Sequence, residues 1–491
     1  MKKIIFKGAS WDSMFLAFAK ALTLLLSIVS AKMLSTGLTL TEYGTYSQAN
    51  LVSSVGASII LLGLVDSMNF YFNNKENEIA VRIKIVNTVF FLEIFFGLIF
   101  LTAVILGQNI ISGFFGNETL KVLLPIAGIL PAFTNVIYFY QVLYVSIGRA
   151  KLMSLLNLAS TVVYIAAIYI SVYVLENILW IYVVLLLLDV AKVIVLNAAL
   201  RRNGVKINPI KISPSHIKPI MAYGLPMGIY AITSSFTRDL DKLVIGRLGG
   251  TEDLAVYSNC SKLLPLDFFV SSFALVLIPY IYKRVFEGKR EESIDLFSSY
   301  LKVGYYTVWT LGVMVLVAPE SIISFLYADD YVQGKTVFIM YIFDSMLRFA
   351  SIHLILTAAG KAKNVMLYSL ISLGSNFVLN ILLYNCLGMI GPAIATLIVA
   401  VLYMLLILND TRKTISAGWA EIFDFKEIAW FVFTLFISWA FAFAVNDLFV
   451  HLEINIYLSM IISMIIFVLI IVALHFKKML GVFKKINTYE L

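Results

Sequence analysis

The stretch Gly224–Leu264, GLPMGIYAITSSFTRDLDKLVIGRLGGTEDLAVYSNCSKLL, decides how the chain is read. It opens as an apolar helix with a Gly-x-Pro step. Four charges then fall together at Arg238, Asp239, Asp241 and Lys242. A glycine-rich turn follows at Gly249 and Gly250, and a second apolar helix starts near Leu254 with Lys262 about two turns inside it. Charges inside membrane segments cost roughly 2.5–3.5 kcal/mol each on insertion scales, so they face a cavity, a partner or water. The stretch reads as a helical pair lining a polar route through a membrane.

Composition agrees. Hydrophobic residues make up 61% of 491, and the mean hydropathy is +0.93. A soluble chain of this size needs far more polar residues to cover its surface. Apolar runs of about 20 residues recur along the whole length, each long enough to span a bilayer. No ten-residue alternation argues for a β-barrel. The expected fold class is an all-α polytopic membrane protein. Both cysteines, Cys260 and Cys386, sit in apolar segments, so disulfides, zinc and redox pairs are not expected, nor is any bound cofactor.

Fourteen spans are expected, near 14–34, 45–65, 83–106, 120–144, 152–174, 179–199, 219–244, 254–280, 300–318, 335–358, 364–385, 390–408, 428–446 and 454–474. With the N-terminus inside, cytoplasmic segments carry about 27 of the 37 Lys and Arg residues, and the outer side about six. This positive-inside bias places both termini in the cytoplasm. The +8 net charge is thus a topology signal and not a nucleic-acid footprint. The longest loops, near 200–218, 281–299 and 409–427, leave no room for a soluble catalytic or ATP-binding domain, and no P-loop or HExxH motif is present. The segment 283–299 is expected to lie as an amphipathic helix at the membrane surface, and 319–334 as a short outer loop carrying Asp329 and Asp330 in a solvated turn.

An internal repeat organises the spans. Gly148-Arg149-Ala150-Lys151 recurs as Gly360-Lys361-Ala362-Lys363, and Thr41–Ser47 has a weaker echo in Thr251–Ser258. The offsets, 212 and about 211, correspond to six spans. An even number keeps both halves in one orientation, as parallel repeats about the membrane normal. The domains expected are 1–210 (helices 1–6), 211–410 (helices 7–12) and 411–491 (helices 13–14 with a basic tail), around a central cleft.

Several ionisable residues lie inside spans. Asp189/Lys192 and Asp344/Arg348, at i,i+3 and i,i+4, can neutralise each other on one helix face. The group around Arg238 is near a helix end and can snorkel to the interface. Glu93 lies in span 3, and His353 in span 10 as either a satisfied polar group or a proton relay. Lys20 and Lys262 are roughly 9–12 Å inside their spans, with no opposite charge one turn away. If spans 1, 2, 7 and 8 face the cleft, Lys20, Lys32, Arg238, Lys242 and Lys262 give it excess positive charge. Such a cleft suits an anion, with Arg clasping phosphate oxygens and Lys acting as a point charge. Arg348 is a further candidate cation.

These residues carry a family resemblance. Gly224-x-Pro226, Asp241-Lys242-Leu243-Val244-Ile245-Gly246-Arg247 and Tyr257-Ser258 resemble the seventh and eighth helices of polysaccharide repeat-unit flippases. Glu42-Tyr43-Gly44-Thr45-Tyr46 is similar to that family's start of helix 2. The run Asn380–Thr396 resembles its helix 11–12 turn. The similarity covers about residues 5–410 and places the chain in the multidrug/oligosaccharidyl-lipid/polysaccharide exporter superfamily, which also holds lipid II flippases and multidrug extruders.

The resemblance implies a flippase, not an enzyme. Its partner would be an undecaprenyl-pyrophosphate-linked oligosaccharide, carried to the outer leaflet of a bacterial cytoplasmic membrane by alternating access, for O-antigen, capsule or exopolysaccharide. Membrane lipids and the polymerase and export machinery are the other partners implied. In lipid II flippases cavity cations engage the pyrophosphate, and Lys20, Arg238 and Lys262 are the matching candidates on helices 1, 7 and 8. Some relatives bind sodium, at places matched here by Asp241 or Asp239, Asn376, Asn380 and Thr396, so coupling to Na+ or H+ is implied. The rival reading, a cation-coupled multidrug exporter, needs an acidic or aromatic cleft. The Lys and Arg excess argues against that. A membrane-embedded enzyme needs paired carboxylates in a sizeable loop, and Asp329/Asp330 has no partner cluster.

Overall fold

The computed structural model describes residues 22, 23, 25–73, 78–147, 149–202, 207, 208, 211–262, 266, 270, 277 and 280–488. Among these every element is helical, with no strand. Compactness divides the chain into two units, residues 1–255 and 256–491. That division falls inside a short helix, one long helix beyond the repeat boundary near 210; repetition and compactness are separate properties.

The first unit contains α1 (Leu25–Gly37), α2 (Leu40–Leu61), α3 (Leu64–Asn73), α4 (Ile79–Leu106), α5 (Gln108–Phe115), α6 (Leu120–Ser146), α7 (Ala150–Tyr169), α8 (Leu179–Arg202) and α9 (Pro214–Leu248). The helix α10 (Gly250–Cys260) crosses the division. A capping box starts α2: Glu42 N–H donates to Thr39 Oγ1, and Thr39 N–H to Glu42 Oε2 at 2.9 Å. This satisfies two of the donors that a helix start leaves orphaned. The centre of the unit is α6, which packs against α2, α4 and α8. It buries Phe139, Tyr140, Leu143 and Tyr144, and the Tyr144 hydroxyl reaches the Leu196 carbonyl of α8 at 2.8 Å.

Where α9 crosses α2 and α3, the Gly-x-Pro step finds its reason. The α2–α3 pair bends by 41° at Leu62 and Gly63, both at positive φ (41° and 68°). A Cβ on Gly63 would sit 2.1 Å from the Gly224 carbonyl oxygen, and one on Gly228 2.6 Å from Leu62 Cα. Backbones this close admit only hydrogen. Small residues at a crossing are how membrane helices gain packing without a hydrophobic driving force between them. Ser67 adds a bond across the crossing, Oγ to the Ile220 carbonyl at 2.8 Å.

The second unit contains α11 (Arg290–Gly304), one π turn (Tyr305–Trp309), α12 (Thr310–Val315), α13 (Pro319–Leu326), α14 (Lys335–Leu347), α15 (Leu354–Ala358), α16 (Ala362–Leu387), α17 (Ile390–Thr414), α18 (Trp419–Ile422), α19 (Phe425–His451) and α20 (Ile456–Thr488). Its tightest pairing is the α16–α17 hairpin, which turns at Gly388 (φ 60°). α14 packs on α17, α19 on α20, and α20 on α11 and α12.

Nine helices among the described residues are long and apolar enough to cross a membrane, or up to eleven if each of two bent pairs counts as one span. The chain is therefore a multi-pass membrane protein. Large apolar side chains such as Leu98, Val162, Leu187 and Phe436 point outward, about half to two-thirds exposed, as lipid-facing residues do. The expected count of fourteen is not established. α9, with 35 residues, is helical but outside the nine. Spans 14–34 and 254–280 fall partly outside the described residues, and Lys20 lies outside them altogether.

Two local expectations are corrected. The segment 283–299 is not one surface helix: Gly288 (φ 73°) breaks it, and Arg290 begins a helical run that continues to Val315 and then bends 80° into α13. Residues 319–334, expected as loop, form α13 and a 3-10 turn at Asp329–Gly334. They were too short to show a helical period, and Pro319 at the first helical position reads equally as a turn signal.

Candidate functional site

The charged turn of α9 is an ion-pair cluster centred on Asp239. Lys242 Nζ lies 3.0 Å from Asp239 Oδ1, and Arg238 Nε 3.9 Å from Oδ2. Ser54 of α2 also reaches Oδ2, at 3.5 Å, and Arg238 Nη2 donates to Ser235 Oγ at 3.3 Å. Asp239 and Asp241 are both buried. One Asp241 oxygen accepts the Lys242 backbone N–H at 2.7 Å. The side chain of Lys242 is 19% exposed, that of Arg238 61%. Of these two cations, Arg238 is thus the one presented outward, while Lys242 is neutralised by the acid one turn before it.

The other expected cations are distributed as follows. Lys32 is half-buried on α1. Lys262, just past α10, donates to Asn259 Oδ1 at 2.6 Å and stands 5.5 Å over the Tyr327 ring. These two contacts are to a neutral amide and an aromatic face, and Arg348 is paired with Asp344 at 3.1 Å. Asp189 and Lys192 face each other at 3.7 Å, so both same-helix pairings read from spacing are present.

A second polar feature runs along α16. Ser372, Asn376 and Asn380, at i, i+4 and i+8, are all buried. Asn380 Nδ2 donates to Asn376 Oδ1 at 2.9 Å. Asn380 Oδ1, Ser372 Oγ and, on α17, Thr396 Oγ1 are buried without a hydrogen-bond partner. Such orphaned oxygens cost about 1–3 kcal/mol each in an apolar interior. Oxygen donors are the right chemistry for a hard cation. The sequence singled out Asn376, Asn380 and Thr396. Ser372 was missed, although its place one turn before Asn376 is the signal that finds it.

A cavity of about 1450 Å³ lies in the second unit. Its walls are apolar, among them Trp309, Phe343, Leu397, Val401, Phe436 and Trp439. Polar lining comes from helix ends, at Glu320, Asp329, Lys335, Asn446 and Asp447. Two tryptophans fix the walls by donating their indole N–H to carbonyls, Trp309 to Met346 at 3.1 Å and Trp439 to Leu316 at 2.9 Å. The volume exceeds the roughly 300–1,000 Å³ of pockets for drug-sized ligands. Sequence reasoning missed this cavity, because its lining residues look the same in sequence as lipid-facing ones.

Among the described residues no cluster of His, Cys, Asp and Glu has the arrangement of a metal site.

In fold, the chain is similar to a lipid II flippase, MurJ, in an inward closed conformation, with TM-score 0.69 and 14% identity over 95% of this chain and 99% of that one. It is also similar to an inward-facing multidrug resistance MATE family transporter of the MOP superfamily, with TM-score 0.64 and 13% identity over 80% and 94%. A MOP superfamily transporter from Pyrococcus furiosus matches at TM-score 0.50 and 14% identity over 82% and 94%. At such identities the likeness is one of fold. No curated protein sequence matches significantly. The profile of one family, described as polysaccharide biosynthesis protein, matches residues 33–336. That match spans more than half of the 491 residues, and the chain belongs to the polysaccharide biosynthesis protein family.

Proposed function

We propose that the protein is a flippase for lipid-linked oligosaccharides, moving undecaprenyl-pyrophosphate-linked repeat units from the cytoplasmic to the outer leaflet of a bacterial cytoplasmic membrane for a surface polysaccharide. The observation that carries this reading is the large apolar cavity of the second unit, in a member of a polysaccharide biosynthesis family. A sugar head group cannot cross hydrocarbon unaided, because its hydroxyls would lose their hydrogen bonds. The lipid tail needs the opposite, an apolar wall, and a cavity of this size suits a long polyprenyl chain.

Arg238 and Lys262, with Lys20, Lys32, Lys242 and Arg348 in support, are the residues proposed for the pyrophosphate. Alternating access of the two halves would carry the head group, without ATP. The membrane potential favours outward movement of one negative charge by about 2.3 kcal/mol per 100 mV. Asn376, Asn380 and Thr396 are proposed to hold a coupling cation through their oxygens. The polysaccharide polymerase and export machinery are the partners to which the flipped unit would pass.

Arg238→Ala and Lys262→Ala are expected to lower export of the surface polymer at least ten-fold with unchanged protein in the membrane, measured by polymer staining and immunoblot of the same cells. Full export from either variant would remove that residue from the site. Drug resistance on overexpression with no effect on polymer would replace the reading by drug export.

A further inference from the structure

One buried acid takes no part in the site described above. Glu93 lies in the middle of α4 and is 0% exposed. Neither of its carboxyl oxygens has a hydrogen-bond partner. Its polar neighbour is Asn135 of α6, whose Nδ2 already donates to the Ala57 carbonyl of α2 at 2.9 Å. That bond uses one of the two Nδ2 hydrogens; no hydrogen bond from Asn135 to either Glu93 oxygen is formed.

Among the described residues no counter-charge acts on Glu93. The elements packed on α4 are α2, α3, α5, α6 and α9. Of their ionisable groups nearest the buried stretches (Tyr46 on α2, Asp66 on α3, Tyr138 and Tyr140 on α6, Asp239 on α9), none acts on Glu93. An ionised carboxylate without donor or counter-ion costs several kcal/mol at such a place. The contrast with Asp239, which has Lys242, Arg238 and Ser54, sets Glu93 apart within the same unit.

We propose that Glu93 is a proton-binding site: its carboxyl carries a proton while α4 is packed on α2 and α6, and gives that proton to water when this packing opens during transport. The bond that breaks is the carboxyl O–H; the carboxylate left behind is solvated by the admitted water and regains a proton on reclosure. This links the transport cycle to the proton gradient through one side chain, and it rests on the transport reading above.

The test has an arm that does not depend on transport. The full chain in lipid nanodiscs is titrated across about pH 5 to 9 and followed by infrared difference spectroscopy in the protonated-carboxyl region. A carboxylic-acid band that titrates, and that is absent from Glu93→Gln, is the expected result. No such band, a band that does not titrate, or a band unchanged in Glu93→Gln would overturn the proposal. Glu93→Asp, expected to move the band and its midpoint, is read in the same way if the Gln variant does not purify as a single species. In cells, Glu93→Gln is expected to make polymer export insensitive to collapse of the pH gradient, where the wild type slows several-fold. A variant still as sensitive as wild type would also overturn it. If the wild-type chain moves no lipid-linked sugar at all, the function fails while the infrared arm still decides whether Glu93 binds the proton.

Discussion

Asp239 on α9 and Asn380 on α16 are both buried polar side chains in apolar helices, and they are satisfied in opposite ways. Asp239 has two cations and a serine around it. Asn380 gives its N–H to Asn376 and keeps a carbonyl oxygen with no donor. The first is a closed arrangement, in which removing one member exposes the others to an uncompensated charge. The second is open, with a free acceptor that a ligand would complete. The difference separates groups held by the fold itself from groups that await something.

The largest effect is expected from breaking the closed arrangement. Asp239→Ala should lower stability by about 3–5 kcal/mol, the usual cost of removing one partner from a buried pair. The double variant Asp239→Ala/Lys242→Ala should recover much of that loss, because no stranded ammonium remains. Thermal unfolding of the purified chains checks both. Equal loss in single and double variants would mean that Asp239 acts through packing alone.

A smaller effect, of opposite sign, is expected on α16. Replacing both members of the pair, Asn376→Leu/Asn380→Leu, should be neutral or stabilising in sodium-free buffer, since two polar groups that satisfy each other only in part are removed together. Adding sodium in place of potassium should raise the Tm of the wild type and leave that of the double variant unchanged. A sodium shift of equal size in both would take the cation away from this hairpin.

The smallest effect concerns a loop. The Gly418 N–H, at 2.6 Å, and the Arg290 guanidinium, at 2.7 Å, hold the carboxyl of Glu421 below the usual carboxylate range. A lowered value means that the stabilisation is present above the unfolded value of about 4.3 and is lost as pH falls through the folded one. The difference in Tm between wild type and Glu421→Gln should therefore be small at pH 7 and shrink as pH falls below the usual carboxylate range. A gap that widens in acid would reverse the assignment.

How legible this was in the sequence depended on the kind of signal. Long apolar runs announced the membrane helices, and the spacings Asp344/Arg348 and Asp189/Lys192 announced their ion pairs, because helix geometry alone brings those atoms together. The charged turn was visible at Arg238–Lys242, but not that Asp239 neutralises Lys242 while Arg238 stays outward; that depends on rotamers and on Ser54, 185 residues away. Gly63 and Gly228 were legible as small residues and not as a crossing, since a backbone contact between distant helices leaves no local pattern. The cavity around Trp309 and Trp439 was invisible. Glu93 was noted as an intramembrane acid, and only the packing of α4 on α6 makes its isolation apparent.

The most direct test of the central claim is a clean deletion of the gene, with lipid-linked oligosaccharides extracted and surface polysaccharide stained. The account predicts loss of surface polymer, with repeat units on their lipid carrier accumulating at the cytoplasmic face, both reversed by the wild-type chain. Normal polymer with no accumulation, in cells lacking any redundant flippase, would contradict it.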